Sequence, residues 1–248
     1  MKRPAAVLLA LVTATSLTGC NMPWKKATKA PAQVEAAPPP EGPAAGMFPS
    51  QDQHLSFTVT DRGKQPIVVD EELIREGERL VAAQGGVAPY ATWLLNADGV
   101  WRKDPKGTAL LRYLPRTLRD TQAWKQTSDG ADVWFRVARA EKGCALPAGV
   151  QAEQCWGLTV INRGEKTEFL FASGLGPVSA DSENWKTPSS SFAKKVTAAQ
   201  PGKLQSAARG KLIAQAPATT ATPAPVIPVS DADFTKALEA AKPQASGS

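Results

Sequence analysis

The strongest constraint on the fold is a period of two in the apolar residues, interrupted at short intervals by turn residues. Residues 156–161 and 167–172 predict two strands joined by a hairpin at Asn162-Arg163-Gly164-Glu165. A strand at 133–137 precedes this hairpin, and another passes through Val178. Turn signals recur about every 8–12 residues without a helical pattern between them, which predicts an antiparallel meander and not β-α-β units.

Upstream of these strands the pattern is mixed. An Asp98-Gly99 turn separates two apolar stretches, and residues 107–115 predict a further strand. Residues 66–86 predict a helix, because Leu73 and Leu80 fall on one apolar stripe, Asp70 suits the N-cap and Gly85 the C-terminus. The predicted fold class is therefore α+β, mostly β: a curved antiparallel meander of half-barrel type, with one N-terminal helix and disordered flanks.

Composition sets the predicted boundaries. Segments rich in Ala and Pro bury too little apolar surface to offset the entropy of ordering, so they predict disorder. Ser230 is a candidate N-cap for a short helix near the C-terminus. The predicted organisation is a signal peptide at 1–19, a Pro/Ala-rich tether at 20–50, a folded domain at 51–193, a disordered tail at 194–229, a short helix at 230–242 and a disordered end at 243–248.

The net charge of +6 is unevenly distributed. Residues 51–185 contain 16 basic and 18 acidic side chains, whereas residues 186–248 contain eight and three. A nucleic-acid interface needs Lys and Arg clustered on a folded face. Because the excess of positive charge falls in the predicted tail, no nucleic-acid partner is expected.

The N-terminus has the pattern of an export signal. A basic start is followed by an apolar run, residues 4–14, which is too short to span a bilayer. The run ends in Leu17-Thr18-Gly19-Cys20, which resembles the lipobox of bacterial lipoproteins. The resemblance implies cleavage before Cys20, attachment of diacylglyceryl and fatty-acyl (palmitate-type) chains to this cysteine, and anchoring to a membrane of the cell envelope. The alternatives are an ordinary secretory signal with an incidental cysteine, or a short buried helix.

Two cysteines remain, Cys144 and Cys155, and they enclose a turn-rich loop. In an exported chain such a pair predicts a disulfide. A zinc site is the rival interpretation, but it usually needs four ligands, and the single histidine, His54, is distant in sequence. No metal and no cofactor are expected.

Six of the seven tryptophans lie between residues 93 and 185. In a small β domain they are expected mainly in the core. Trp134 lies on the strand face opposite Val133 and Phe135 and shares that face with Arg136. The candidate ligand-facing residues are Trp101, Trp134, Arg136 and Phe169.

Residues 110–181 resemble domains of uncharacterised extracytoplasmic bacterial lipoproteins. The motif that carries the resemblance is an aromatic-Ala-x-Gly-x-Gly-x-Val ending, here Phe171 to Val178. The resemblance implies a curved antiparallel sheet and brings no catalytic residues with it.

Three functions remain open at this stage. The first is an envelope-anchored lipoprotein with a non-catalytic binding or assembly role, with an envelope protein as partner. The second is a carrier of lipid or a small apolar ligand on the concave face of the sheet. The third is an enzyme, although the chain contains no recognisable catalytic motif and a Ser-His-Asp triad would depend on His54.

Overall fold

The structure, a computed structural model, describes residues 41–62, 64–140, 144, 146–185, 191–217 and 219–242. The predicted signal peptide, Cys20, most of the predicted tether and the end at 243–248 lie outside these ranges. The elements are β1 Glu41–Pro43, the 3₁₀ turn η1 Ala44–Met47, β2 Gln53–Asp61, β3 Ile67–Glu76, β4 Arg79–Gln84, β5 Ala88–Asn96, β6 Gly99–Lys103, β7 Leu110–Pro115, β8 Thr117–Leu118, β9 Ala123–Ser128, β10 Ala131–Arg139, β11 Cys155–Asn162, β12 Glu165–Ala172, β13 Gly176–Asn184, β14 Phe192–Pro201, α1 Ser206–Gln215, β15 Ile227–Val229 and α2 Asp231–Ala241.

Thirteen strands form one antiparallel sheet in the order β15-β9-β10-β11-β12-β13-β14-β2-β3-β4-β5-β6-β7. The order contains two meanders of six strands, β2–β7 and β9–β14, which are joined where β14 pairs with β2. In this central pairing Val196 lies opposite Phe57 and Ala199 opposite Leu55. The prediction of a mostly β protein built on a curved antiparallel meander is confirmed.

The sheet curves until the inner faces of the two meanders meet. Alternate residues of each strand point to this inner face and form one large apolar cluster. In β10, for example, Val133, Phe135 and Val137 are fully buried on that side. Phe135 stacks on Trp124 at 5.4 Å between ring centroids and contacts Tyr113 of the other meander at 5.6 Å. The core is therefore enclosed by a single sheet wrapped around it.

Near the two ends of the sheet, β7 and β9 are joined by side-chain hydrogen bonds. We call this contact between β7 and β9 the seam. Gln126 of β9 accepts a hydrogen bond from the Arg112 amide at 2.8 Å and donates one to the Ala224 carbonyl at 2.9 Å. The indole of Trp124 donates to the Arg112 carbonyl at 3.1 Å. These bonds satisfy backbone groups that the edge of β7 would otherwise leave unpaired.

A C-terminal segment, residues 222–229, reinforces the seam from outside the meanders. Leu110 of β7 accepts a hydrogen bond from the Ala224 amide and donates one to the Thr222 carbonyl. A few residues later the chain forms β15, which pairs with β9. The segment therefore contacts both edges of the sheet.

One end of the wrapped sheet is filled; we call it the closed end. Here β1 pairs with β8, and η1 leads to Phe48, whose ring lies 5.4 Å from Trp93 and 5.7 Å from Phe171. The loop that ends at Cys155 lies at the same end, and its apolar residues pack against the core. The opposite, open end carries the turns β4–β5 and β11–β12 and the loop between β6 and β7.

Both helices pack on the outer face. Leu212 of α1 is buried against Ile74 and Val81 of β3 and β4. Phe234 of α2 is buried against Ala123 and Ile161 of β9 and β11. The predicted helix at 230–242 is confirmed as α2, since the Ser230 hydroxyl caps it by accepting from the Asp233 amide at 3.1 Å.

The predicted helix at 66–86 is wrong. These residues form the β3–β4 hairpin, which turns at Gly77 with φ of 58°. The period of two was hidden because both faces of the hairpin are buried: Leu73 and Leu80 pack inward, while Ile74 and Val81 pack under α1. Apolar residues on both faces mimic a helical stripe, and Gly77 was the turn signal.

The predicted domain boundaries also need correction. β14 extends to Pro201, and α1 and β15 follow within the segment expected to be a disordered tail. At the other end, β1 and η1 lie inside the predicted tether. Ala- and Pro-rich segments are ordered here because they pack onto a sheet that already exists, and their own apolar content did not reveal this.

The seam yields a stability prediction. Gln126→Ala leaves the buried Arg112 amide and Ala224 carbonyl without their partners, so the free energy of unfolding should fall by about 2–4 kcal/mol. Urea denaturation of the two proteins measures the difference. Thr127→Ala, the adjacent exposed position, is the control and should cost about 0.5 kcal/mol or less. Equal effects of the two substitutions would show that the seam does not depend on Gln126.

Candidate functional site

A cavity of about 350 Å³ opens at the open end of the wrapped sheet. This volume lies at the lower end of the range of about 300–1,000 Å³ that is typical of small-molecule sites. Its walls come from both meanders, which meet only because the sheet wraps around. The lining residues used below are Tyr90, Trp93, Arg102, Lys106, Tyr113, Glu165, Phe169, Ala180, Phe192 and Lys194.

The deeper part of the cavity is aromatic. Trp93 and Tyr113 meet edge to face with ring centroids 5.2 Å apart, and Phe169 lies 6.0 Å from Tyr113. Below them, Phe48 and Phe171 separate the cavity from the closed end. The rings hold one another at fixed angles, so the floor is a rigid apolar surface.

The upper wall carries paired charges. The Lys106 ammonium lies 2.6 Å from the Glu165 carboxylate, which also accepts from the Ser182 hydroxyl at 2.8 Å. Across the cavity, Lys194 pairs with the buried carboxylate of Glu71. Each lysine therefore has its own acidic partner.

Arg102 differs from these lysines. Its guanidinium lies 5.0 Å from the Trp93 ring centroid and 5.9 Å from that of Tyr113. Among the described residues, no carboxylate forms an ion pair with it and no acceptor forms a hydrogen bond with it. The cavity thus combines an aromatic floor with one cation, Arg102, for which the described residues supply ring faces and no carboxylate.

The surroundings shift the pKa values of three side chains in the cavity wall. Burial raises the pKa of Glu165, but hydrogen bonds from Lys106 and Ser182 outweigh it, so the pKa lies below its ordinary value. The pKa of Tyr90 lies well above its ordinary value, because burial removes the hydroxyl from water and the Glu71 carboxylate lies nearby. Burial likewise raises the pKa of Tyr113. At neutral pH the wall therefore holds a carboxylate and two neutral phenols.

The rim of the open end exposes large apolar side chains. Ile67 is 58% exposed, Val87 76% and Phe192 38%. Ile67 extends the inner row of β3, Val87 lies in the β4–β5 turn and Phe192 begins β14 beside the cavity. The mouth is therefore bordered by apolar surface on the side of β3, β5 and β14.

The structure separates the four candidate ligand-facing residues. Phe169 lies in the cavity wall. Trp134 and Arg136 lie on the outer face, where Arg136 pairs with Asp231 of α2 at 3.1 Å and its guanidinium lies 4.9 Å from the Phe234 ring. Trp101 is buried but does not line the cavity. Trp134 and Arg136 do share one face of β10, but α2 packs on that face and the cavity lies on the other side of the sheet.

Sequence reasoning missed Trp93, Arg102, Tyr113 and Lys194. Trp93 belongs to the group of tryptophans expected mainly in the core, and Lys194 is the first residue of the predicted disordered tail. The available signal was an inward-pointing charge in an apolar strand: Lys194 lies two residues before Val196, and Arg102 two residues after Val100.

His54, the residue on which a triad would depend, lies on the outer face. Its Nδ1 is 2.7 Å from Glu72, and its Nε2 is 3.6 Å from Asp70, which accepts from the Ser56 hydroxyl at 2.7 Å. This cluster is outside the cavity. In the part of the chain that the structure describes, no group of three or more His, Cys, Asp or Glu side chains is arranged to hold a metal ion.

The predicted disulfide is confirmed: Cys144 is bonded to Cys155, with Cα atoms 5.3 Å apart.

Neither described helix has the length and hydropathy needed to cross a membrane.

Comparisons with known proteins add little to this geometry. No family model and no curated protein matches the sequence. Among solved structures, the chain is similar to a LolA superfamily protein from Nitrosomonas europaea, at 7% identity over 65% of this chain and 91% of that one, with a TM-score of 0.27. It is also similar to an uncharacterized conserved protein from Thermus thermophilus, at 10% identity over 70% of this chain and 90% of that one, with a TM-score of 0.25. Similarity at this level carries no argument about function.

The depressed pKa of Glu165 predicts a pH-dependent contribution to stability. Its folded-state pKa lies below the unfolded value of about 4.3, so ionised Glu165 stabilises the fold above that pH, and the stabilisation is lost as the pH falls through the folded pKa. Glu165→Gln should therefore cost about 1–2 kcal/mol at neutral pH and much less near pH 3. Thermal unfolding across this range measures the difference. Glu168→Gln, an exposed neighbour, should show little change at either pH.

Proposed function

We propose that this protein binds and carries an apolar, chain-like ligand in the cavity at the open end of the sheet, without catalysis. The observation that carries the proposal is the aromatic floor formed by Trp93, Tyr113 and Phe169 beneath an open mouth. Protein interiors are normally close-packed, and an open apolar cavity with a few polar groups at its rim is the usual form of a binding site.

The cavity favours carriage over a purely structural role in the envelope. An adaptor needs a complementary outer surface, and part of the outer face of the sheet, around Trp134, is covered by α2. A carrier needs a protected apolar volume with access from one side. The exposed apolar rim at Ile67, Val87 and Phe192 suits the transfer of such a ligand to or from another apolar surface.

We also propose an extracytoplasmic location with a lipid anchor at Cys20. The lipobox pattern at 17–20 motivates the anchor. The Cys144–Cys155 disulfide supports export, because such bonds persist in oxidising compartments. Two or more acyl chains on Cys20 would give stable attachment, since each buried methylene contributes about 0.8 kcal/mol.

Filling the cavity tests carriage. Ala180 lies in the cavity wall opposite Phe169 on the neighbouring strand. Ala180→Phe should place a ring in the open volume and reduce bound ligand at least tenfold, with little loss of stability because the added ring enters free space. Native mass spectrometry of protein purified from an exporting host measures the bound fraction.

The matched control is Ala193→Phe, an exposed position on the adjacent strand β14 that does not line the cavity. It should leave the bound fraction unchanged. Equal ligand occupancy in the two variants, or wild-type protein that takes up no long-chain compound, would contradict carriage in this cavity.

The anchor has a separate test. Cys20→Ala in the full-length chain should move the protein from the membrane pellet to the soluble fraction after ultracentrifugation, because the acylated thiol is lost. A substitution at Met22, outside the lipobox, is the control and should leave the protein in the pellet. Continued sedimentation of Cys20→Ala with membranes would refute the anchor and leave the carriage proposal standing.

A further inference from the structure

We propose that the ligand is an amphiphile with a single acyl chain and an anionic head group, a carboxylate or a phosphate, and that Arg102 binds that head group. This inference rests on the proposed function, because it names the ligand class for the same cavity. The observation that carries it is the guanidinium of Arg102, which lies above the aromatic floor and is paired with no carboxylate among the described residues.

The position of Arg102 is set by the sheet. It lies on β6 directly opposite Trp93 of β5, and its guanidinium lies over the rings of Trp93 and Tyr113. The aromatic floor is below it and the mouth of the cavity is above it. A chain that enters the floor therefore brings its own head group to the level of this guanidinium.

When an arginine lines an apolar cavity without an anionic partner, its positive charge and its N–H donors are only partly compensated. Ring faces attract the cation, but they supply no hydrogen-bond acceptors for its five N–H donors. A carboxylate or phosphate supplies such acceptors. It can accept two parallel hydrogen bonds in one plane, a geometry that suits a guanidinium better than an ammonium group. Binding an anionic head group supplies the acceptors that the described residues do not.

The other charges in the wall make the site selective for one negative charge. Lys106 is neutralised by Glu165, and Lys194 by Glu71, so neither is free for a ligand. The Tyr90 and Tyr113 hydroxyls remain neutral donors at physiological pH. The lining therefore offers one uncompensated positive charge, which favours an anion over a neutral or cationic head group.

The size of the cavity sets the number of chains. A volume of about 350 Å³ suits one acyl chain and leaves no room for the two chains of a phospholipid. The predicted class is thus a fatty acid, an alkyl phosphate or a lysolipid with a net negative head group.

The test compares two probes with the same chain, ω-bromoundecanoate and its methyl ester, which differ only in head-group charge. Bromine quenches tryptophan fluorescence at contact, and Trp93 lies in the floor where the chain end is expected. Full-length protein should bind the acid at least tenfold more tightly than the ester, because one charge-assisted interaction is lost with the ester. Arg102→Gln should weaken acid binding by a similar factor and leave ester binding within about twofold.

Two controls separate the head-group effect from damage to the fold. Arg102→Lys retains the charge and should keep part of the preference for the acid. Lys125→Gln removes a cation that lies over an aromatic ring on the outer face, 5.2 Å from the Trp134 centroid, and should change neither affinity. The melting temperature of each variant shows whether it is folded.

The outcomes are distinct. Equal binding of acid and ester, unaffected by Arg102→Gln, would overturn this inference and leave carriage intact. If neither probe quenches the fluorescence, both this inference and the carriage proposal would be overturned. Displacement of the bound acid by inorganic phosphate alone, at comparable concentration, would indicate a simple anion site and would also overturn the proposed amphiphile.

Discussion

The seam between β7 and β9 is the contact on which the rest of the structure depends. A sheet of thirteen strands buries its inner face only if its two ends meet. They meet here through Gln126 and Trp124, which bond to both backbone groups of Arg112. That contact joins the two meanders on the side away from the β14–β2 pairing, and the cavity lies between them. These side-chain hydrogen bonds, together with the backbone hydrogen bonds of residues 222–224 to Leu110, take the place of the strand ladder of a closed barrel.

The cavity follows from an uneven distribution of polar groups over the inner face. Near the closed end that face is mostly apolar, and the ring of Phe48 packs there against Trp93 and Phe171. Towards the open end, charged residues replace apolar ones in the same inward-pointing rows, as Lys194 does two residues before Val196. Charges of this kind prevent the two walls from collapsing onto each other, because each would lose its hydration or its partner. The result is an apolar volume with a polar upper wall.

The sequence revealed much of the fold and little of the site. The β11–β12 hairpin, the capped helix α2 and the disulfide depend on short-range signals, namely a Gly-containing turn, Ser230 and two nearby cysteines. The β3–β4 hairpin was mistaken for a helix because α1, more than a hundred residues away in sequence, buries its outer face. Trp134 was taken for a ligand contact because nothing local indicates that α2 covers it. The cavity residues come together through the pairing of β14 with β2, which no single segment encodes.

That pairing also determines how the chain reaches its native state. Each meander is built from hairpins between neighbours and can begin to form by itself, but β2 finds β14 only after more than half of the chain has been synthesised. Until then β2 is a bare edge strand, with unpaired backbone groups and an apolar face, which is the kind of surface on which chains aggregate. Contacts of such long sequence separation fold slowly. The same long-range pairing that encloses the cavity therefore leaves the growing chain in need of protection.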